Sequence, residues 1–184
     1  MIIVAGGDSF VWGSELKDSP HGGPSGWSMN TFPALLSGSG YRCAAYPGFS
    51  NNDIVNSVIV SCQGFDPEMV IVCWTWASRD NELDSDQHIL RLEKYLKEHK
   101  IGNMFTCADN CIITGKLDYS NWYMFPASDK PWETIEPRGF YQWAVENKYQ
   151  VGPQDHPLEQ AHLDASKLMQ EKFNELVKKH LQQN

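Results

Sequence analysis

The chain has 184 residues, 41% hydrophobic and 21% charged, which suits a folded domain with its own core and excludes disordered or collagen-like classes. Fifteen Lys and Arg stand against 23 Asp and Glu, a formal charge of -8 with no basic run to offset it, so a nucleic-acid partner is not expected. No apolar stretch approaches the roughly eighteen residues of a membrane span and MIIVAGGDSF carries no basic leader, so the expectation is a cytoplasmic protein without a membrane partner.

Residues 1–5 form a short β-branched run ending in Gly6-Gly7, which predicts a strand that opens into a tight turn. Asn30 or Thr31 caps a helix in which Phe32, Leu35 and Leu36 share a face, with Pro33 in its first turn. Residues 41–46 read as a second strand, stopped by Pro47-Gly48. Asn51 or Asn52 then caps a helix carrying Ile54, Val55, Val58, Ile59 and Cys62 at helical spacing. Residues 69–75, MVIVCWT, are almost wholly apolar, as in a parallel strand buried on both faces. Asp84 or Ser85 starts a charged helix with Ile89, Leu90, Leu92, Tyr95 and Leu96; Gly102 stops it, and residues 103–107 are a fourth strand. Residues 158–181 form an amphipathic helix with Ala161, Ala165, Leu168, Met169, Leu176 and Val177 on one side.

Strand alternating with helix predicts an α/β fold, a three-layer αβα sandwich around a flavodoxin-like parallel sheet, with all 184 residues in one domain. Residues 111–150 break the rhythm with Trp122, Trp132, Trp143 and several prolines, which reads as an irregular cover or insertion. Five cysteines (Cys43, Cys62, Cys73, Cys107, Cys111) form an odd set without a C-x-x-C pair, so neither a disulfide framework nor a zinc site is expected.

In a doubly wound sheet, ligands bind outside the carboxyl ends of the strands. The residues there are Asp8 and Ser9 after the first strand, Gly48 to Asn52 after the second, and Thr75 to Arg79 after the third. Ser9 follows two glycines where a helix begins, a place that presents a hydroxyl to solvent; the plainer reading is that Asp8 or Ser9 caps that helix. The G-x-S-x-G elbow fails at Val11, and no G-K-[ST] phosphate loop or other cofactor motif is present, so no cofactor is expected.

GGDSFVWG (residues 6–13) resembles the first block of the SGNH, or GDSL-type, serine hydrolases. YPGFSNNDI (46–54) resembles their second block, VIVCWTWASR (70–79) stands in the place of the third, and DHPLEQAH (155–162) resembles the fifth. The resemblance implies an ester hydrolase of the SGNH hydrolase fold that needs no metal, with Ser9 as nucleophile, His156 as general base, and the Ser9 and Gly48 N–H groups as oxyanion donors. It also implies a small-molecule or glycan ester as substrate, acetyl esters first. The short chain with Trp74, Thr75 and Arg79 in its third block is similar to members encoded by bacterial viruses, which would place the protein on a virion.

The sequence departs from the family's pattern twice. The third block normally supplies an Asn to the oxyanion hole; here Thr75 stands there, with Asn51 or Asn52 as the alternative donor. The fifth block normally has Asp three residues before the His; position 153 is Pro, which leaves Asp155, or a backbone carbonyl, to orient His156. His162, three residues after Glu159, is a rival base. Trp12, Trp74 and Trp76 would offer flat faces to a sugar or acyl chain, and Arg79 would pair with a substrate anion or form a structural salt bridge. The altered blocks leave a second reading open, an SGNH-like binding module with little or no turnover; a nucleotide-binding flavodoxin-like protein is a more remote third.

Overall fold

The computed structural model describes residues 1–19, 26–80, 85–127 and 137–183. Four strands, β1 (Ile3–Gly6), β2 (Tyr41–Cys43), β3 (Met69–Trp74) and β4 (Gly102–Cys107), form one parallel sheet in the order β2-β1-β3-β4. The helices are α1 (Ser9–Trp12), α2 (Phe32–Ser37), α3 (Asn51–Phe65), α4 (Ser85–Glu98), α5 (Phe140–Glu146) and α6 (Glu159–Gln183). The expected α/β architecture is therefore present, a parallel sheet flanked by helices.

Alternation along the strands builds two cores. Ile3, Ala5, Ile71, Cys73 and Met104 face one side, against Phe32, Phe140, Ala165 and Met169. Val4, Val70, Val72, Trp74 and Phe105 face the other, against Ile54, Val58, Ile89 and Leu92. Both faces are covered, which is why the strands read as continuous apolar runs and not as alternating ones.

Several boundaries move from their predicted places. Ser50, not Asn51 or Asn52, caps α3: its side chain accepts from the Asp53 N–H while the Asp53 carboxylate accepts from the Ser50 N–H. Thr31 precedes α2 without a side-chain cap bond. β2 ends at Cys43, and Gly102 opens β4 where a helix stop was expected. Leu35, Leu90 and Leu168 are exposed. Each neighbours a buried residue (Leu36, Ile89, Met169), and one step along a helix turns about 100° away from the core. Asp84 and Trp132 lie outside the described residues.

The segment after β4 is built into these cores. Trp122 bridges to Phe105, Phe125 to Arg138, and Phe125, Phe140 and Trp143 pack with Phe32 and His162 as a run of ring contacts. Tyr141 of α5 stacks on Phe10, 5.8 Å between centroids, beside the carboxyl end of β1. Phe140→Ala is expected to lower the unfolding free energy by about 3–5 kcal/mol in urea denaturation. A loss below about 1 kcal/mol would mean that residues 111–150 fold apart from the sheet.

Candidate active site

With strand order β2-β1-β3-β4, the crossovers diverge between β1 and β3, and the residues just beyond those two strands meet. Asp8 is fully buried there. Its Oδ1 accepts the Phe10 N–H at 3.0 Å, and its Oδ2 accepts the Thr75 hydroxyl at 2.7 Å and Arg79 Nη1 at 3.2 Å. Burial pushes the Asp8 carboxyl above the ordinary aspartate range, against the pull of the Phe10 N–H, the Thr75 hydroxyl and the charges of Arg79 and His156. Asp8 is therefore the α1 cap, and Ser9 opens the helix. Among the described residues the Ser9 hydroxyl has no hydrogen-bond partner.

A second buried group ties the loops after β2 and β3 together. Asn51 Oδ1 accepts the Thr75 N–H at 2.9 Å, and its Nδ2 donates to the Thr75 carbonyl, Asp80 Oδ2 and Ser85 Oγ at 2.9–3.3 Å. Asp80 also accepts the Asn51 N–H and the Ser85 hydroxyl, and its Oδ1 lies 4.0 Å from His88 Nε2. Thr75 and Asn51, the two expected side-chain oxyanion donors, thus have their donors engaged, Thr75 on Asp8 and Asn51 on Asp80, Ser85 and a backbone carbonyl. Asn52 lies on the half-buried α3 surface, where its Oδ1 accepts from Arg91. Gly48 adopts φ of 86°, a left-handed conformation that glycine takes without penalty, in an open loop where its N–H has no partner among the described residues.

His156 lies on a tight turn closed by the Gly152 N–H to the His156 carbonyl at 2.8 Å, just before α6. Its ring meets that of Phe10, the residue after Ser9 in the chain, edge-on at 5.6 Å. Its Nδ1 is 2.7 Å from Oε2 of Glu15, a side chain only 9% exposed. A carboxylate there requires the proton on Nδ1 and leaves the Nε2 lone pair free. Burial opposes ionisation of Glu15, but the bonds from His156 and the Gln154 N–H outweigh it and hold its carboxyl below the usual range. Gly152 belongs to the same fit, because a Cβ on it would lie 2.6 Å from Glu15 Oε2.

The other expected residues divide. Asp155 is exposed with φ of 62°, and among the described residues its hydrogen bond is from its own N–H to the Gly152 carbonyl, so Glu15 and not Asp155 is the carboxylate on the imidazole. His162 is buried under Phe32 and Phe140, accepts the Phe32 N–H at Nδ1, and is held neutral by burial, its pKa pushed down to about 3. Trp74 is fully buried in the α3 and α4 core because it is the last inward residue of β3, so it offers no face to a ligand. Trp76 is half-buried between Phe10, Tyr141 and the Arg79 guanidinium, 5.3 Å from its ring centre. Trp12 meets Tyr46 edge-on at 5.1 Å and, with Tyr46, Pro47, Ser14 and Glu15, lines a cavity of about 300 Å³. A larger cleft, about 470 Å³, opens at the opposite end of the sheet beside Gly102 and Lys97 and contains none of these residues. Among the described residues no three His, Cys, Asp or Glu side chains converge as a metal site would require, and no helix is long and apolar enough to cross a membrane.

Glu15 was not singled out in the sequence because it belongs to none of the four blocks. Its only local signal is the left-handed φ of 68° that follows the α1 stop at Gly13, which no sequence pattern announces.

By sequence, no protein-family model and no curated protein matches the chain. Solved structures do match in fold. The psychrotrophic esterase EstA from a Pseudoalteromonas species, in a structure inhibited by monoethylphosphonate, is 12% identical with a TM-score of 0.61, covering 98% of each chain. A candidate lipolytic protein of the G-D-S-L family from Desulfitobacterium hafniense is 16% identical with a TM-score of 0.55, covering 92% of this chain and 98% of that one. A two-domain esterase active on acetylated mannans is 12% identical with a TM-score of 0.59, covering 96% of this chain and 48% of that one. The chain has the SGNH hydrolase fold.

Glu15→Gln tests the imidazole contact through pH. Because the folded carboxyl titrates below its ordinary value of 4.5, its contribution is complete above that value and is lost as pH falls through the lowered one. The variant is expected to lose about 1–3 kcal/mol at neutral pH, with the gap to the parent closing in acid. A gap that is constant from pH 7 to 3 would remove the charged contact from the account.

Proposed function

We propose that the chain is a serine-dependent ester hydrolase in which Ser9, His156 and Glu15 form a triad acting on small or carbohydrate-linked esters, acetyl esters first. The observation that carries this reading is the 2.7 Å bond between Glu15 and His156 Nδ1, with the imidazole edge-on to Phe10, the residue that follows Ser9. His156 Nε2 takes the Ser9 proton as Oγ adds to the ester carbonyl. The C–O bond to the leaving alcohol then breaks and His156 returns the proton to it. A water, deprotonated by the same nitrogen, adds to the acyl carbonyl; the bond to Ser9 Oγ then breaks and His156 returns the proton to that oxygen. The Ser9 and Gly48 N–H groups, both without partners among the described residues, are the backbone donors for the oxyanion.

The substrate class is supported by the cavity beside Glu15, where Trp12 and Tyr46 present aromatic faces of the kind that pack on sugar rings, and by the fold shared with an esterase active on acetylated mannans. The commitment of Thr75 and Asn51 to buried bonds favours the second reading, a binding module without turnover.

Hydrolysis of p-nitrophenyl acetate decides between them. Ser9→Ala and His156→Ala are expected to abolish turnover with circular dichroism unchanged, Glu15→Ala to lower kcat about 10³–10⁴-fold, and Asp155→Ala to stay within about twofold. Equal rates for the parent and Ser9→Ala would rule out Ser9 as nucleophile and leave the binding module.

A further inference from the structure

We propose that Arg79 is the third oxyanion donor, taking the part that Thr75 and Asn51 do not have free; the inference rests on the serine-hydrolase reading above. Nη1 of Arg79 donates to Asp8 Oδ2 at 3.2 Å and to the Phe49 carbonyl at 3.3 Å. Those acceptors belong to the residues next to Ser9 and Gly48, whose N–H groups are the two backbone donors, so the guanidinium is pinned where the loops after β1, β2 and β3 meet. Among the described residues, Nη1 is the engaged nitrogen. Among the described residues Nε and Nη2 have no acceptor, and the side chain is 32% exposed while its partner Asp8 is 1% exposed. The indole of Trp76 lies against the guanidinium and restricts its swing.

A guanidinium presents five N–H groups in a rigid fork, so one edge can be held by Asp8 and Phe49 while the other donates to a ligand. An ester carbonyl carries a partial charge in the ground state and a full one after Ser9 adds, so a fixed cation beside the oxygen favours the adduct over the substrate. Arg79 keeps all its protons throughout; proton transfer stays with His156. Asp8 holds the Arg79 fork in place and does not touch the substrate.

The test is steady-state hydrolysis of p-nitrophenyl acetate, a neutral ester, by the full chain and by Ser9→Ala, Arg79→Lys and Arg79→Ala, each with a thermal melt. Lysine keeps a cation for Asp8 but lacks the second edge. Arg79→Lys is expected to melt near the parent and to lose about 10²–10³-fold in kcat, with KM within about threefold. Because Arg79→Ala strands the Asp8 charge, the paired change Asp8→Asn with Arg79→Gln is the companion variant, and a kcat loss of the same size is expected. Parent-like kcat in Arg79→Lys or in the paired variant, or a rise in KM alone, overturns the inference while Ser9-dependent turnover keeps the underlying reading. Absence of turnover in the parent overturns both.

Discussion

A fully buried carboxylate lies just beyond the carboxyl end of β1. Asp8 is a group whose charge is expensive to bury, and the structure answers with a backbone N–H, a hydroxyl and a guanidinium aimed at its two oxygens. The N–H belongs to α1, and the other two donors come from the loop after β3. Satisfying Asp8 therefore docks that loop against the end of β1. Ser9 is the next residue, so the same bonds set where its hydroxyl stands.

The Asn51 cluster does the equivalent work one layer out. A single amide, fully buried, bonds both backbone groups of Thr75 and reaches Asp80 and Ser85, so the start of α3, the end of β3 and the start of α4 share one polar centre. Removing any member would leave the others unpaired in a low dielectric, which makes the cluster rigid as a unit. The consequence for chemistry is a division of labour. The short side chains at 51 and 75 hold the loops, and a long, forked side chain at 79 can hold with one edge and still present another.

The layout of the fold was legible in the sequence because the strands are buried on both faces and the helices carry clear stripes. MVIVCWT could be little other than a central parallel strand, and α3, α4 and α6 lie where their periodicity places them. What periodicity does not carry is the use of polar side chains. Asn51 at a helix start has the form of a cap, and only the neighbouring loops show that Ser50 does the capping and frees Asn51 for a buried role. Trp74 and Trp76 are two residues apart, yet one belongs to the strand and the core, and the other to the turn beyond it. That the loops after the first, second and third strands are neighbours was readable, since topology brings the ends of adjacent parallel strands together whatever their side chains are.

Glu15 could not be read in this way, and the reason lies in how a histidine is oriented. A carboxylate three residues before the imidazole is local and leaves a spacing in the sequence; one 141 residues away leaves none. The long-range arrangement has a physical consequence. Glu15 follows α1 by three residues, with Gly13 closing the helix by bonding back to Ser9, so Ser9 and Glu15 ride on one short piece of chain. The His156 turn then docks onto that piece through the Nδ1 bond and the Gln154 N–H, with Gly152 small enough to let the carboxylate in. Where the carboxylate sits beside the histidine in sequence, it orients the ring but does nothing to hold that loop against the serine. Here the contact that sets the imidazole tautomer also ties the His156 turn to the piece of chain that carries Ser9.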